Sequence, residues 1–268
     1  MRLGFLITAR LKSSRLKLKL LKQLNGYSVI DRVIQRAKQV KECDEIILCT
    51  SENNQDLPLV RAALANEIFY FNGDADDVLD RLNKASELFN LDYIICMTAD
   101  NPLFSIYYAN LISDEIRSNP TIDYIYTDDL PVGVNVYGLK TKALKTICSI
   151  KEEIDTEIWG SLFNRPDLFN VINFKINPSD RIDIERITLD EIKDYELIYQ
   201  IFQKFPKDYQ IEEVDIISLI NKFPYIRELN SGVVQKKLNQ KTVDRIDTFF
   251  KKNEAKILKI KNKIYSEI

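Results

Sequence analysis

"LGFLITARLKSSRLKLK", residues 3–19, joins two contrasting kinds of chain without a spacer. The first seven residues, "LGFLITA", form a nearly unbroken apolar run about one strand long, with no polar alternation. A strand buried on both faces is the mark of a parallel sheet covered by helices on each side. The next ten residues carry Arg10, Lys12, Arg15, Lys17 and Lys19, with Ser13 and Ser14 among them. In such a sheet, ligands gather where strands end at their carboxyl side. A loop this rich in cations is either a solvated basic surface or a cradle for a polyanion. It contains neither GxxxxGK[ST] nor GxGxxG, so it is not a Walker loop or a dinucleotide fingerprint.

The chain downstream keeps the same rhythm. Residues 28–40 have helical spacing, 45–51 read as a strand, 57–65 as a helix and 67–71 as a short strand. A helix over 76–89, a strand over 92–98, a helix near 106–116 and a strand over 123–127 follow. This βα alternation predicts an α/β fold, a Rossmann-like three-layer αβα arrangement with a mainly parallel central sheet. Beyond Asp128 the alternation loosens into a strand in "VGVNVYGLK", a helix in "KTKALKTICSI" and a strand in "VINFKI". A long amphipathic helix is expected over 188–205, with Thr188 as its cap and Pro206 beyond its end. The remainder is rich in Lys and Ile and reads as mostly helical. The expected division is an α/β domain over 1–205 and a helical C-terminal extension over 206–268, whose last helix docks on the body or supports a homodimer.

Composition narrows the chemistry. The 268 residues hold 38 Lys and Arg against 40 Asp and Glu, so bulk charge does not suggest a nucleic-acid binder. No apolar stretch approaches a membrane span, and the expected location is cytoplasmic. Histidine is absent, which removes Ser-His and Cys-His catalysis and His-based zinc sites. The four cysteines form no CxxC pair and read as reduced thiols, Cys49 and Cys96 within apolar runs. Magnesium, which takes oxygen ligands, suits this inventory.

Two carboxylates stand out. Asp100 follows the strand "DYIICMT" directly, where it either holds a cation in the ligand crevice or caps the next turn. Asp190, in "RITLDEIKDY", stands at the start of the long helix, where capping also accounts for an acid.

Taken with the basic loop, these segments resemble the sugar cytidylyltransferases, the CMP-Kdo and CMP-acylneuraminate synthetases, and especially their SpsF-type spore-coat polysaccharide branch. The matching segments are Ala9-Arg10-Leu11-Lys12-Ser13-Ser14-Arg15-Leu16-Lys17-Leu18-Lys19, "LNGYSVIDRVIQR" (24–36), "GDADDVLDR" (73–81), Thr98-Ala99-Asp100-Asn101-Pro102, "LPVGVNVYGLKTKAL" and "RITLDEIKDYELI" (186–198). They occur in the family's order across about residues 3–235. Three positions depart from the pattern. Lys17 and Leu18 replace a Pro and a Gly, Ala99 replaces a Gly, and "EIDTEIWGSLF" (153–163) stands where the branch has a Glu-His-Val-Thr-like segment.

The resemblance implies a GT-A-like nucleotidyltransferase fold and transfer of CMP from CTP to a sugar acid of Kdo or nonulosonate type, with release of pyrophosphate. By position, Ala9, Arg10, Ser13, Arg15 and Lys19 would hold the triphosphate, with Gly73 and Arg81 in the nucleotide pocket. Asp100 and Asp190 would hold Mg²⁺, and Arg10, Arg15, Lys19 and Asp100 would form the catalytic set. Lys140 or Arg165 would supply a cation for the acceptor carboxylate. Neither nucleic acid nor membrane insertion is expected. Two other readings use the same residues: a glycosyltransferase with "DADD" (74–77) or "TDD" (127–129) as its metal motif, and a non-catalytic scaffold retaining the fold.

Overall fold

A computed structural model describes residues 1–153 and 155–267. Ile154, within the 153–163 stretch, and Ile268, at the end of the expected terminal helix, lie outside the described residues. The buried run at the N-terminus is strand β1 (Leu3–Thr8), followed by a small hairpin of β2 (Gln23–Leu24) and β3 (Tyr27–Ser28). Helix α1 (Val29–Ala37) begins at a capping box in which the Ser28 hydroxyl accepts from the Asp31 amide. Strand β4 (Glu45–Ser51), helix α2 (Leu57–Ala65), β5 (Phe69–Gly73), α3 (Val78–Leu88), β6 (Tyr93–Thr98) and α4 (Ile106–Ser118) continue the alternation. Then come β7 (Tyr124–Tyr126), β8 (Tyr137–Lys140), α5 (Thr141–Ile150), the short α6 (Gly160–Phe163), β9 (Val171–Asn173), α7 (Ile192–Gln203), α8 (Glu213–Lys222) and α9 (Gln240–Ser266).

Seven strands form one sheet in the order β5-β4-β1-β6-β8-β7-β9. Strand β8 runs against both of its neighbours, and the other recorded pairings are parallel. Side chains of a strand alternate between faces, so β1 feeds two cores. Leu3, Phe5 and Ile7 enter one with α1, α4, α7 and α8, while Leu6 enters the other with α3, α5, α6 and α9. The expected three-layer, mainly parallel αβα architecture is therefore observed. Cys49 and Cys96 are buried, and all four thiols are free. Among the described residues no helix is long and apolar enough to cross a membrane.

Residues beyond 205 are tied into the body by two buried arginines of α1. Arg32 Nη1 donates to the Lys207 carbonyl at 2.7 Å, and Arg36 Nη1 donates to the Ile211 carbonyl at 2.7 Å. Helix α9 lies along α5 and buries Ile246, Phe250, Ile257 and Ile264 within its own chain. Arg165 stacks 3.9 Å from the Phe250 ring and pairs with Asp247, and the Tyr265 hydroxyl donates to Asp123 at 2.7 Å. The apolar stripe of the last helix thus docks on the body.

The helix expected over 188–205 starts later, at Ile192, with Glu191 rather than Thr188 as its cap. Residues 186–189 are held extended instead. Arg186 and Val132 form a parallel bridge, and the Leu189 amide donates to the Asp100 carbonyl at 2.8 Å. Backbone partners outside the helix out-competed the local cap.

If α9 belongs to the cooperative fold, Ile257→Ala lowers stability by about 2–5 kcal/mol. Urea denaturation gives the value, and a loss under about 1 kcal/mol would mean that α9 frays independently.

Candidate active site

The carboxyl ends of β1 and β6 open into a cleft of about 590 Å³. Thr8 through Arg10, Lys12 through Arg15 and Lys19 line one side, and Thr98 through Asp100 line the floor. Asp76, Val78 and Arg81 from the start of α3, residues Asp155, Glu157 and Trp159, then Asp190 and Lys236 complete the wall. Arg10, Lys12, Arg15 and Lys19 of the opening loop therefore share one cleft with the two singled-out carboxylates.

Lys19 is the centre of this arrangement. Its Nζ donates to Asp100 Oδ2 at 2.7 Å and to Asp190 Oδ1 at 2.9 Å. The two carboxylate oxygens can thus be no farther apart than the sum of those distances. Arg15 reaches Asp190 Oδ1 at 3.1 Å. Burial pulls the Lys19 pKa down, but the charges and hydrogen bonds of Asp100 and Asp190 outweigh it and leave the pKa raised. For Asp190, burial raises the pKa, while Lys19, Arg15 and Arg186 bring it below the ordinary carboxylate value. The Asp190 contribution to stability is thus present above the ordinary carboxylate pKa and lost as pH falls through the depressed one. The Lys19 contribution is present below the ordinary lysine pKa and lost as pH rises through the raised one. Across neutral pH Lys19 and Asp190 therefore keep their charges.

Backbone geometry delivers the two acids together. Asp100 stands in the turn two residues beyond β6; its Oδ1 accepts from the Thr98 hydroxyl at 2.6 Å, and Asn101 Nδ2 donates to the same hydroxyl at 2.7 Å. Asp190 comes from far along the chain on the extended 186–189 segment, pinned to the Asp100 carbonyl. Gly133 makes that approach possible. It has φ +96°, and a Cβ there would stand 2.6 Å from the Ile187 carbonyl oxygen. Behind Asp190 lies a group that sequence reading missed. Arg186 Nη2 donates to Asp190 at 3.1 Å and to Asp194 at 3.0 Å, and Asn230 Nδ2 donates to Asp194 at 3.0 Å. Arg186 and Asp194 are buried, so this network fixes Asp190 from the rear. The signal was the acid at 194, four residues after Asp190 and eight after Arg186, which appears only as a helix-start acid in the sequence.

The remaining expected residues divide. Ala9 and Ser13 line the cleft. Arg10 lines it too, donating to the Ala75 carbonyl and pairing with Asp76 at 2.8 Å. Arg81 is 1% exposed, donates to the Asp74 carbonyl at 2.9 Å and still lines the cleft. Gly73, at the end of β5, stands behind it rather than in the wall. A Cβ there would lie 3.1 Å from Arg81 Cγ.

"DADD" is absorbed by local structure: Asp74 accepts from the amides of Asp76 and Asp77, Asp76 pairs with Arg10, and Asp77 caps α3. Asp128 and Asp129 face Lys175, away from the cleft. Lys140 and Arg165 do not reach the cleft either, which corrects the expectation that they serve an acceptor carboxylate. Lys140 Nζ donates to the Pro120 carbonyl at 2.8 Å, and Arg165 is held by Asp247 and Phe250.

The departure at residue 18 has a structural reading. Leu18 has φ 51°, in the left-handed region that favours glycine, and its side chain is exposed. The loop keeps a glycine-type turn with a leucine in it.

The cytidylyltransferase family profile matches residues 5–247. The chain is 26% identical over 227 residues to the spore coat polysaccharide biosynthesis protein SpsF of Bacillus subtilis, covering 82% of this chain and 94% of SpsF. A solved cytidylyltransferase from Leptospira borgpetersenii superposes with TM-score 0.79 at 25% identity, covering 88% of this chain and all of that one, 100%. A CMP:2-keto-3-deoxy-manno-octonic acid synthetase complexed with CTP has the same fold, with TM-score 0.61 at 16% identity over 76% of this chain and 99% of its own.

Replacing Leu18 with Gly relieves the left-handed strain, and its side chain is exposed, so stability rises by up to about 1 kcal/mol. Chemical denaturation measures this, and a loss would show that the Leu18 side chain stabilises the loop by more than its backbone strain costs.

Proposed function

The chain belongs to the cytidylyltransferase family, and from that premise we propose that it transfers CMP from CTP to a hydroxyl of a sugar acid of Kdo or nonulosonate type, for surface polysaccharide or glycan assembly. The observation that carries this reading is one cleft in which Lys19 bonds both Asp100 and Asp190, Arg15 pairs with Asp190 and Arg10 lines the same wall. The sugar hydroxyl attacks the α-phosphorus in line. A bond forms between that phosphorus and the sugar oxygen, the bond to the bridging oxygen breaks, pyrophosphate departs and the hydroxyl proton passes to solvent. Most of the acceleration in such a transfer comes from positioning and charge neutralisation.

In this proposal Arg10, Arg15 and Lys19 bind the triphosphate and take up the charge that grows on pyrophosphate. The Ser13 hydroxyl adds a donor, Ala9 lets the loop backbone approach, and Arg81 borders the nucleotide with Gly73 giving it room. For the acceptor, Lys236 is the cation on the 155–159 side of the cleft, tied to Glu157 at 3.0 Å, and in this reading it receives the carboxylate. The names of SpsF and of the 2-keto-3-deoxy-manno-octonic acid synthetase support the sugar class. The homodimer expected from the sequence belongs to the proposal as well, through a surface other than the apolar stripe of α9.

The donor set suits Mg²⁺. Among the described residues no group of three or more metal-binding acids, cysteines or histidines occurs. Asp100 and Asp190 are two carboxylates within reach of one cation, and Mg²⁺ is commonly held by one or two carboxylates with phosphates and waters for the rest. When bound, the ion supplies charge neutralisation at the α-phosphate. The Lys19 ammonium occupies the space between these oxygens, so it moves onto the phosphates as the carboxylates turn to the cation.

Two measurements test this. In a thermal-shift panel with Mg²⁺, CTP raises the midpoint by mass action while GTP, UTP, ATP and dTTP do not. An equal response to another nucleotide would replace the base, and no response to any would remove the triphosphate reading. Secondly, Lys19→Met removes the ammonium shared by Asp100 and Asp190, leaving Asp190 with Arg15 and Arg186. Binding of Mn²⁺ without nucleotide, followed by the free-ion electron paramagnetic resonance signal, then strengthens by at least about tenfold. Unchanged affinity would remove Asp100 and Asp190 as the metal pair.

A further inference from the structure

Helix α9 carries a charge pattern unrelated to the cleft. Residues 236–268 hold ten Lys and Arg against four Asp and Glu, in a chain whose totals are 38 and 40. The rest of the molecule is therefore acidic and its C-terminal part basic. Within α9, the exposed Lys241, Arg245, Lys252, Lys256, Lys259 and Lys263 recur at spacings of 4, 7, 4, 3 and 4 residues. At about 100° per residue they fall within an arc of about 60°, a straight line of cations about 33 Å long. The buried Ile246, Phe250, Ile257 and Ile264 define the side that rests on α5, and the cation line projects away from it. The acids of the helix, Asp244, Asp247 and Glu254, lie off this line; Asp247 is engaged by Arg165. Arg245 pairs with Glu153 at 3.2 Å, while the five lysines of the line have no ion-pair partner among the described residues.

Surface lysines on a helix are ordinarily interleaved with acids at spacings of three and four, where each pair is mildly stabilising. Here, apart from Asp244 three residues after Lys241 and Glu267 four after Lys263, like charges occupy those spacings, a pattern that costs stability in isolation and is relieved by an external anion. We propose that this face of α9 docks the protein on an anionic phospholipid surface. A flat array of negative headgroups matches a straight, rigid line of cations along its whole length, and each lysine near such a surface contributes about 1 kcal/mol. Five of the six cations are lysines, point charges suited to a diffuse anionic plane, whereas phosphate recognition in nucleic acids favours the arginine fork. Phe249, between Arg245 and Lys252, packs against the body and is not free to stack on bases. The acidic remainder of the molecule is repelled by the same surface, which orients the molecule with α9 downward. Apolar residues of α9 are already buried in the body, so attachment is electrostatic and peripheral. This inference does not depend on the cytidylyl-transfer reading.

Full-length protein is sedimented with vesicles of phosphatidylglycerol mixed with phosphatidylcholine, and with vesicles of phosphatidylcholine alone. Binding to the anionic vesicles only, lost in about 0.5 M salt as the charges are screened, is expected. The triple variant Lys252→Glu, Lys256→Glu, Lys259→Glu leaves the thermal midpoint unchanged and lowers partitioning by at least about 100-fold. Absence of the protein from the anionic pellet at low salt overturns the proposal, as does equal sedimentation of the triple variant. If duplex DNA or RNA displaces the wild-type protein from anionic vesicles and the triple variant loses nucleic-acid binding in parallel, the face is a nucleic-acid surface and the lipid assignment falls.

Discussion

One ammonium group holds the site together. Lys19 lies between Asp100 and Asp190, and without it two carboxylates would stand side by side in a partly buried cleft. Like charges that close cannot both remain ionised without a counter-ion. The demand for that counter-ion explains the rest of the local design. The opening loop must fold back over the end of β1 to bring Lys19 in, and the 186–189 segment must run extended past the end of β6 to bring Asp190 in. Gly133 must leave room for it. Arg186, Asp194 and Asn230 then hold Asp190 against the pull of the loop.

The layered fold was legible because its signals are local and redundant. The apolar run of β1, the helical spacing of α1 and the run of β6 each declare their state within a few residues, and their order implies the sheet. What the sequence did not show was how the second half closes on the first. The start of α7 at Ile192 depends on backbone partners at residues 100 and 132, distant in sequence, which outweigh a favourable local cap at Thr188. The reversed strand β8 and the long-range roles of Arg32 and Arg36 are likewise tertiary facts. An arginine in an amphipathic helix looks solvated until the carbonyl it serves is known.

The site was legible in a different way. Arg10, Arg15 and Lys19 were picked out in the loop after the first strand, Asp100 after another strand and Asp190 at a helix start, and all five line one cleft. Gly73 was picked out with them, and it stands one layer back, leaving space for Arg81. The cations chosen for an acceptor carboxylate, Lys140 and Arg165, went astray for a plain reason. A charge in the sequence carries no sign of which face it will serve, and these two stabilise the packing of other elements. Leu18 shows the converse: a residue that departs from the family pattern can keep the backbone conformation that the pattern encodes.

Lys19 and Asp190 are separated by 171 positions, and the Asn230 amide that steadies Asp194 comes later still. The α1 arginines, bonded earlier to the carbonyls of Leu24, Asn25 and Phe104, complete their set of partners at residues 207 and 211. A chain emerging from the ribosome therefore completes β1, the basic loop and α1 long before Asp190 and the carbonyls of residues 207 and 211 exist to complete their partners. Contacts this distant make for slow closure. The cleft stays incomplete until residues 190 to 230 are available, so its assembly waits on segments made long after its opening loop.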